Sequence, residues 1–150
     1  MIFRGKYWFL SNMYPCVIEY NGHIFNCAES AFQAQKCPDR AKEFEVINGF
    51  EAKRLGRTVD LVSGWDDKKD QIMSEIIHAK FYQNADLAQK LLETMPEYLV
   101  EDNTWGDRYW GRCYGKGLNK LGQILDEVRD EFFERATKRP PGTAPLRVLS

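Results

Sequence analysis

Asn26-Cys27-Ala28-Glu29-Ser30-Ala31-Phe32-Gln33-Ala34-Gln35-Lys36 sets an acid, an amide and a base along one short segment. Asn26 followed by Glu29 three positions later has the pattern of a reciprocal cap, with Asn as N-cap and Glu reaching back to it. The spacing predicts a helix from about Cys27 to Cys37. On it Glu29, Gln33 and Lys36 recur at i, i+4 and i+7 on one face, and Ala28, Phe32 and Gln35 lie on the neighbouring one. A charged row beside an apolar row suits a helix that edges a pocket. The residues alone leave a plainer alternative, in which Glu29 caps its helix and Lys36 complements the dipole at the other end.

Upstream of this segment, Val17-Ile18-Glu19-Tyr20, Asn21-Gly22 and His23-Ile24-Phe25 read as a hairpin, because Asn-Gly accepts the positive φ angles of a two-residue turn. Before it, Tyr7 to Cys16 is apolar and ends in turn residues, which predicts a loop or short strand. Downstream, Pro38-Asp39 breaks the helix and starts another, with Ala41, Phe44 and Ile47 at helical spacing up to Asn48-Gly49. Glu51 to Gly56 predicts a further short helix. Trp65, Ile72, Ile76, Ala79 and Gln83, with Met73 and Phe81 alongside, predict a longer amphipathic one. Asp86 to Thr94 repeats the pattern and Pro96 ends it.

Tyr98-Leu99-Val100-Glu101 is a strand candidate leading into a stretch punctuated by Gly106, Gly111, Gly115, Gly117 and Gly122, with Trp, Asp, Lys and Asn between them. A core element would not tolerate that composition, so it reads as a glycine-rich loop. Leu118, Leu121, Leu125, Val128 and Phe132 then define a terminal helix to about Arg135. The division is one domain over residues 1–136 and a flexible tail over 137–150, which contains Pro140-Pro141-Gly142.

A chain of 150 residues, 43% hydrophobic and 29% charged, is long enough to bury one real core. Its formal net charge of -1 offers no global attraction for nucleic acid or membranes. The first residues lack an apolar signal region and no apolar run approaches a membrane span, so the expected location is the cytoplasm, with no membrane partner. Cys16, Cys27, Cys37 and Cys113 form no CxxC pair, and His23 and His78 are isolated, which predicts reduced thiols and no metal site.

The order of Phe9-Leu10-Ser11-Asn12, Tyr14-Pro15, Glu29 to Lys36, Ala52 to Arg57, Trp65 with Met73, Lys80-Phe81-Tyr82-Gln83-Asn84, Leu99-Val100-Glu101, Trp105-Gly106-Asp107 and Gly115 to Gly122 resembles the YbiA-like, or NADAR, family. The resemblance runs from about Phe3 to Arg129 with every segment in order. It implies an α+β fold, a mainly helical single domain with a small antiparallel β portion. It also implies an N-glycosidase that needs no cofactor. Members of the family are associated with cleaving ribosylated riboflavin-pathway intermediates, others with removing ADP-ribose from guanine in nucleic acid. One departure is visible: the family commonly has His after the motif Glu, where this chain has Ser30, so no role of that His carries over.

Breaking a C–N bond at an anomeric carbon develops positive charge on the ribose, which calls for a carboxylate near C1′ and a proton or hydrogen-bond donor for the departing nitrogen. Glu29 and Asp107 are the expected carboxylates, Asp107 having the alternative of a turn aspartate. Lys36 and Lys80 are candidate donors to the leaving nitrogen or the ribose oxygens, an imine with an opened ribose is a further use of either amine, and a solvated lysine is the plainer alternative for both. Arg4, Lys116 and the amides of Gly115 and Gly117 are candidates for phosphate. Phe9, Trp65 and Trp105 are candidates to stack on a planar ring, Trp65 with the alternative of a core residue. Asn12, Gln33 and Asn119 are candidates to read hydroxyls or base edges, Asn12 and Asn119 with the alternative of turn or cap residues, and Glu101 is either a site residue or half of a structural pair. The expected partner is a small ribosyl phosphate or ADP-ribose substrate. ADP-ribosylated DNA is an alternative that the cations at Arg54, Arg57, Arg108, Arg112 and Lys116 permit. A reader of ADP-ribose or NAD that turns nothing over is the third class.

Overall fold

The computed structural model describes residues 1–138, grouped as two compact units: residues 11–84, and residues 1–10 together with the chain from 85 onward. Of the tail expected over 137–150, Thr137 closes the last helix and everything from 139 lies outside the described residues.

In the 11–84 unit, strands β1 (Ile18–Tyr20) and β2 (His23–Phe25) form the expected antiparallel hairpin, with Ile18 opposite Phe25. Asn21 and Gly22 turn the chain at φ 49° and 81°. Ile18 and Phe25 are fully buried. Past the strands the Cys16 amide still donates to the Asn26 carbonyl at 2.9 Å, which carries the pairing one step further.

That extra step delays the helix. Helix α1 covers Ala28–Ala34, with Cys27 as N-cap accepting the Ser30 amide on its thiol at 3.4 Å. The reciprocal cap expected from Asn26 and Glu29 is therefore not formed, and the Glu29 amide goes to the Asn12 carbonyl at 2.9 Å. The far end is also shorter than the expected Cys37. Gln35, Lys36 and Cys37 donate to carbonyls three residues back, at 3.1, 3.1 and 3.3 Å, so Lys36 stands in tight turns after α1.

A 3-10 helix covers Pro38–Phe44 where an α-helix to Asn48 was expected. The buried pair Ala41 and Phe44, three apart, satisfies three residues per turn as readily as 3.6. Helix α2 (Gly49–Gly56) opens with a complete reciprocal cap: Glu51 N–H donates to Asn48 Oδ1 at 2.9 Å and Asn48 N–H to Glu51 Oε1 at 3.2 Å. Helix α3 (Trp65–Gln83) buries Trp65, Met73, Ile76, Ile77 and Phe81. Its last residue brackets the hairpin, since the Gln83 amide both accepts from Glu19 N–H and donates to Glu19 O, each at 2.8 Å.

In the other unit, Gly5–Leu10 is a 3-10 helix rather than a loop or strand. Helix α4 (Ala85–Glu93) buries Leu87, Ala88, Leu91 and Leu92, and α5 (Lys120–Thr137) buries Leu121, Leu125 and Val128. Leu118, expected on that apolar face, precedes the helix and is exposed. Arg129 joins α5 to the exit of α4 by donating to Thr94 Oγ1 and Glu97 O, both at 2.9 Å. Tyr98 to Glu101 is not a strand. The pairing falls just after it, with β3 (Asp102–Asn103) parallel to β4 (Arg112–Cys113). The chain is thus mainly helical with a small β portion, as expected, and besides the antiparallel hairpin that portion includes this separate two-residue parallel pair.

Candidate active site

Glu29 is the second residue of α1 and only 8% exposed. Its carboxylate accepts the Gln33 side-chain N–H at 2.9 Å, an i→i+4 bond within the helix, while its backbone amide is taken by Asn12. The other end of the Gln33 amide is fixed by packing. Gln33 Oε1 is buried without a hydrogen-bond partner and lies against Gly56, where a Cβ would overlap it. Glycine at 56 is therefore what lets α2 approach α1 closely enough to hold that amide.

Lys36, in the turn after α1, is half-buried, and its backbone carbonyl is anchored by the Val62 amide at 2.7 Å. Burial lowers the pKa of its amine, Glu29 opposes that shift, and the charges of Arg57, Lys53 and Lys69 add to it. Glu29, Gln33 and Lys36, expected on one helical face, are thus interacting neighbours.

Lys80, on α3, has no exposed surface. Its ammonium donates to the Ser11 carbonyl at 2.9 Å and lies 5.3 Å from the Phe81 ring centre and 5.9 Å from that of Tyr14. Burial lowers its pKa from 10.5 to about 8, with Cys16 and Cys27 pulling weakly the other way. Ser11 and Asn12 therefore use consecutive carbonyls, one to hold Lys80 and the next to hold the start of α1. The Asn12 side chain donates to Met73 Sδ at 3.6 Å, and its Oδ1 is a second buried oxygen without a hydrogen-bond partner. Trp65 is 7% exposed and packs on Phe32 at 5.2 Å between ring centres, tilted 54°.

In the other unit the candidates gather around one loop. Asp107 is half-buried, and its Oδ1 accepts the backbone amides of Tyr109 at 3.0 Å and Trp110 at 2.9 Å, the geometry of an aspartate that closes a turn. Asn103, which the sequence did not single out, links Glu101 to Asp107: its Nδ2 donates to Glu101 Oε2 at 3.0 Å and to Asp107 O at 2.8 Å. Asn119 is 2% exposed and spends both ends of its amide on backbone, donating to Leu99 O at 3.0 Å and accepting Glu101 N–H at 2.9 Å. Gly111 lies directly against the Glu101 carboxylate, and any side chain there would overlap it. Trp105 is 58% exposed, Arg4 and Lys116 are exposed, and Phe9 is buried with the Lys90 ammonium 5.9 Å from its ring centre.

Glu29, Gln33, Lys36, Lys80 and Asn12 were legible as candidates, but Ser11, Cys27 and Gly56, which hold the 11–84 cluster with them, were not, and Asn12 was legible only for its side chain. Ser11 and Asn12 act through backbone carbonyls, Cys27 caps as a thiol, and Gly56 acts through the absence of a side chain. Among the described residues no group of three His, Cys, Asp or Glu side chains is arranged to hold a metal ion, and no helix is long and apolar enough to cross a membrane.

The family described as the NADAR domain matches residues 2–133. The N-glycosidase YbiA of Escherichia coli is 38% identical over 128 residues, covering 81% of this chain and 79% of that protein. An N-glycosidase of Nostoc punctiforme is 38% identical over 136 residues, covering 84% and 86%. A Vibrio vulnificus riboflavin biosynthesis protein is 37% identical over 134 residues, 85% of this chain but 36% of that longer protein. The solution structure of Escherichia coli YbiA superposes with a TM-score of 0.82 at 31% identity, covering 96% of this chain and 90% of the other. With its fold, its motif segments and almost its whole described length matched, the chain belongs to the NADAR domain family.

Proposed function

We propose that this protein hydrolyses the N-glycosidic bond of a small ribosylated, phosphorylated molecule of the kind found among riboflavin-biosynthesis intermediates. The observation that carries the reading is Glu29: a buried carboxylate fixed by Gln33 at 2.9 Å, with the Lys36 amine close enough for each to act on the other. Relatives named N-glycosidases, and one named for riboflavin biosynthesis, support it.

In the proposed reaction the C1′–N bond breaks and its electron pair leaves with the nitrogen, which takes a proton from Lys36. The Glu29 carboxylate stabilises the positive charge developing on the ribose and accepts a proton from the water whose oxygen bonds to C1′. Products are the free base and the hydroxyl sugar. Lys80 is assigned a positioning role, because its amine has no exposed surface and holds the Ser11 carbonyl. Asp107 ranks below Glu29 as a reacting carboxylate, since one of its oxygens already closes a turn.

The test is a chromatographic assay of purified protein offered ribosylated riboflavin-pathway intermediates and, separately, DNA carrying ADP-ribosyl-guanine. Release of base from the small molecules alone is the expected result. Release from DNA alone would make the enzyme an ADP-ribosyl glycohydrolase, and binding of ADP-ribose or NAD without release from either substrate would make it a reader.

A further inference from the structure

Lys36 is half-buried, and the described residues offer it no ion-pair partner within 4 Å. Lys53, on the last turns of α2, and Arg57, its C-cap, have none either. Gly56 lies against Gln33, which sets the end of α2, with the half-buried Lys53 and the exposed Arg57, beside the turn that carries Lys36, whose carbonyl the Val62 amide holds; the charges of both act on the Lys36 amine. At the Lys36 amine the one opposing charge among the described residues is the carboxylate of Glu29, which the charges on Lys53 and Arg57 outnumber. Lys69, from α3, adds a fourth cation, itself bonded to Asp66 at 3.3 Å.

Crowding like charges around a partly desolvated amine destabilises the fold, and cations at helix ends need only one residue each to complement a dipole. Three cations without ion-pair partners, on neighbouring ends of two elements, therefore exceed what helix stability asks for. What they suit is a dense anion: guanidinium and ammonium groups donate in several directions to the oxygens of one phosphate or diphosphate.

We propose that Lys53 and Arg57, bordering Lys36, form the subsite that holds the phosphate of the ribosyl substrate. The assignment rests on the N-glycosidase reading and deepens it. It moves the phosphate from the exposed Arg4 and Lys116 to the unit that carries Glu29, so one rigid pair of helices fixes both the phosphorylated end of the sugar and the carboxylate facing its anomeric carbon. The enzyme would then discriminate between a ribosyl phosphate and the same molecule without phosphate.

Two measurements test it on the full-length protein. The first titrates inorganic pyrophosphate into wild type, Lys53→Ala, Arg57→Ala, the double variant and Lys138→Ala, by calorimetry and by amide NMR. Signals of Gly56, Arg57 and Val62 should shift, the double variant should lose at least tenfold in affinity, Arg57→Lys should keep most of it, and Lys138→Ala should match wild type. The second compares kcat/KM for a ribosylated base with and without its 5′-phosphate. The preference for the phosphorylated form should fall about tenfold or more in the double variant. Pyrophosphate signals confined to Gly115–Gly117, or a preference unchanged in a double variant that melts like wild type, would overturn the subsite while leaving the N-glycosidase intact. If wild type releases no base from any substrate yet loses pyrophosphate binding on double substitution, the activity reading fails and the anion site stands.

Discussion

Gln33 donates to Glu29 across one turn of α1 at 2.9 Å, with both side chains buried. A hydrogen bond to a charged group contributes about 1.5–3 kcal/mol. Gln33→Leu should therefore lower kcat/KM about tenfold to a hundredfold and move the acid limb of its pH profile upward, because the carboxylate loses a donor that favours its charged form. Glu29→Gln, which removes the carboxylate, should cost about a hundredfold to ten-thousandfold. Steady-state kinetics across pH separate the two effects. Full activity in Glu29→Gln would remove Glu29 from the mechanism.

Gly56→Ala touches no candidate catalytic group, yet its methyl would meet the Gln33 oxygen. It should reproduce the kinetic pattern of Gln33→Leu more weakly. Kinetics indistinguishable from wild type would mean that the Gln33 amide is not held from α2.

Asp107 uses Oδ1 to accept two backbone amides, a task asparagine can also perform. Asp107→Asn should retain most activity and Asp107→Ala should lose both activity and about 1–2 kcal/mol of stability. If the asparagine variant is instead as inactive as Glu29→Gln, Asp107 is a reacting carboxylate after all. Activity and urea midpoints for the pair of variants decide it.

Burial holds the Lys36 amine below its ordinary pKa, and the charges of Arg57 and Lys53 are the next largest influences in that direction. An amine acting as proton donor sets the basic limb of kcat/KM. Arg57→Ala should shift that limb to higher pH, since one repelling charge is gone. A limb that stays in place in Arg57→Ala, or survives in Lys36→Met, would assign it to another group.

Lys80 makes a separate prediction about stability. Below about pH 8 both the folded and unfolded chains hold its proton. Between about 8 and 10.5 the unfolded chain holds it and the folded one does not, so stability rises with pH across that window, by about 3 kcal/mol in all. Tyr20 works the other way above pH 10, because burial and the nearby Glu75 carboxylate raise its pKa. Urea unfolding of wild type against Lys80→Met subtracts Tyr20. Parallel stability curves from pH 8 to 10 would show that Lys80 does not titrate there.

What was legible in the chain was whatever side-chain spacing controls. Asn21-Gly22 specifies the hairpin turn, the periodic apolar residues of α3, α4 and α5 specify their helices, and Glu29 with Gln33 declares an i→i+4 contact. The start of α1 was misread because Asn26 offers the right side chain while its backbone is still engaged with Cys16. The same cap chemistry, correctly placed, stands at Asn48 and Glu51. Leu99 and Val100 look like strand residues but are buried in a loop that Asn119 stitches with its side chain. Lys80 was legible as a candidate amine but not as a buried one, since its burial depends on where Ser11 and Tyr14 fold back.

Ser11 and Asn12 secure α3 and α1 with peptide oxygens that every amino acid possesses. That anchorage depends on chain length rather than on side-chain identity: adding or deleting a single residue between positions 10 and 13 would put the wrong oxygen under Lys80 and none at the Glu29 amide. The spacing of this loop is thus a structural constraint in its own right, separate from the letters that fill it. An invariant loop length here is the mark to look for when more distant members of the family are aligned.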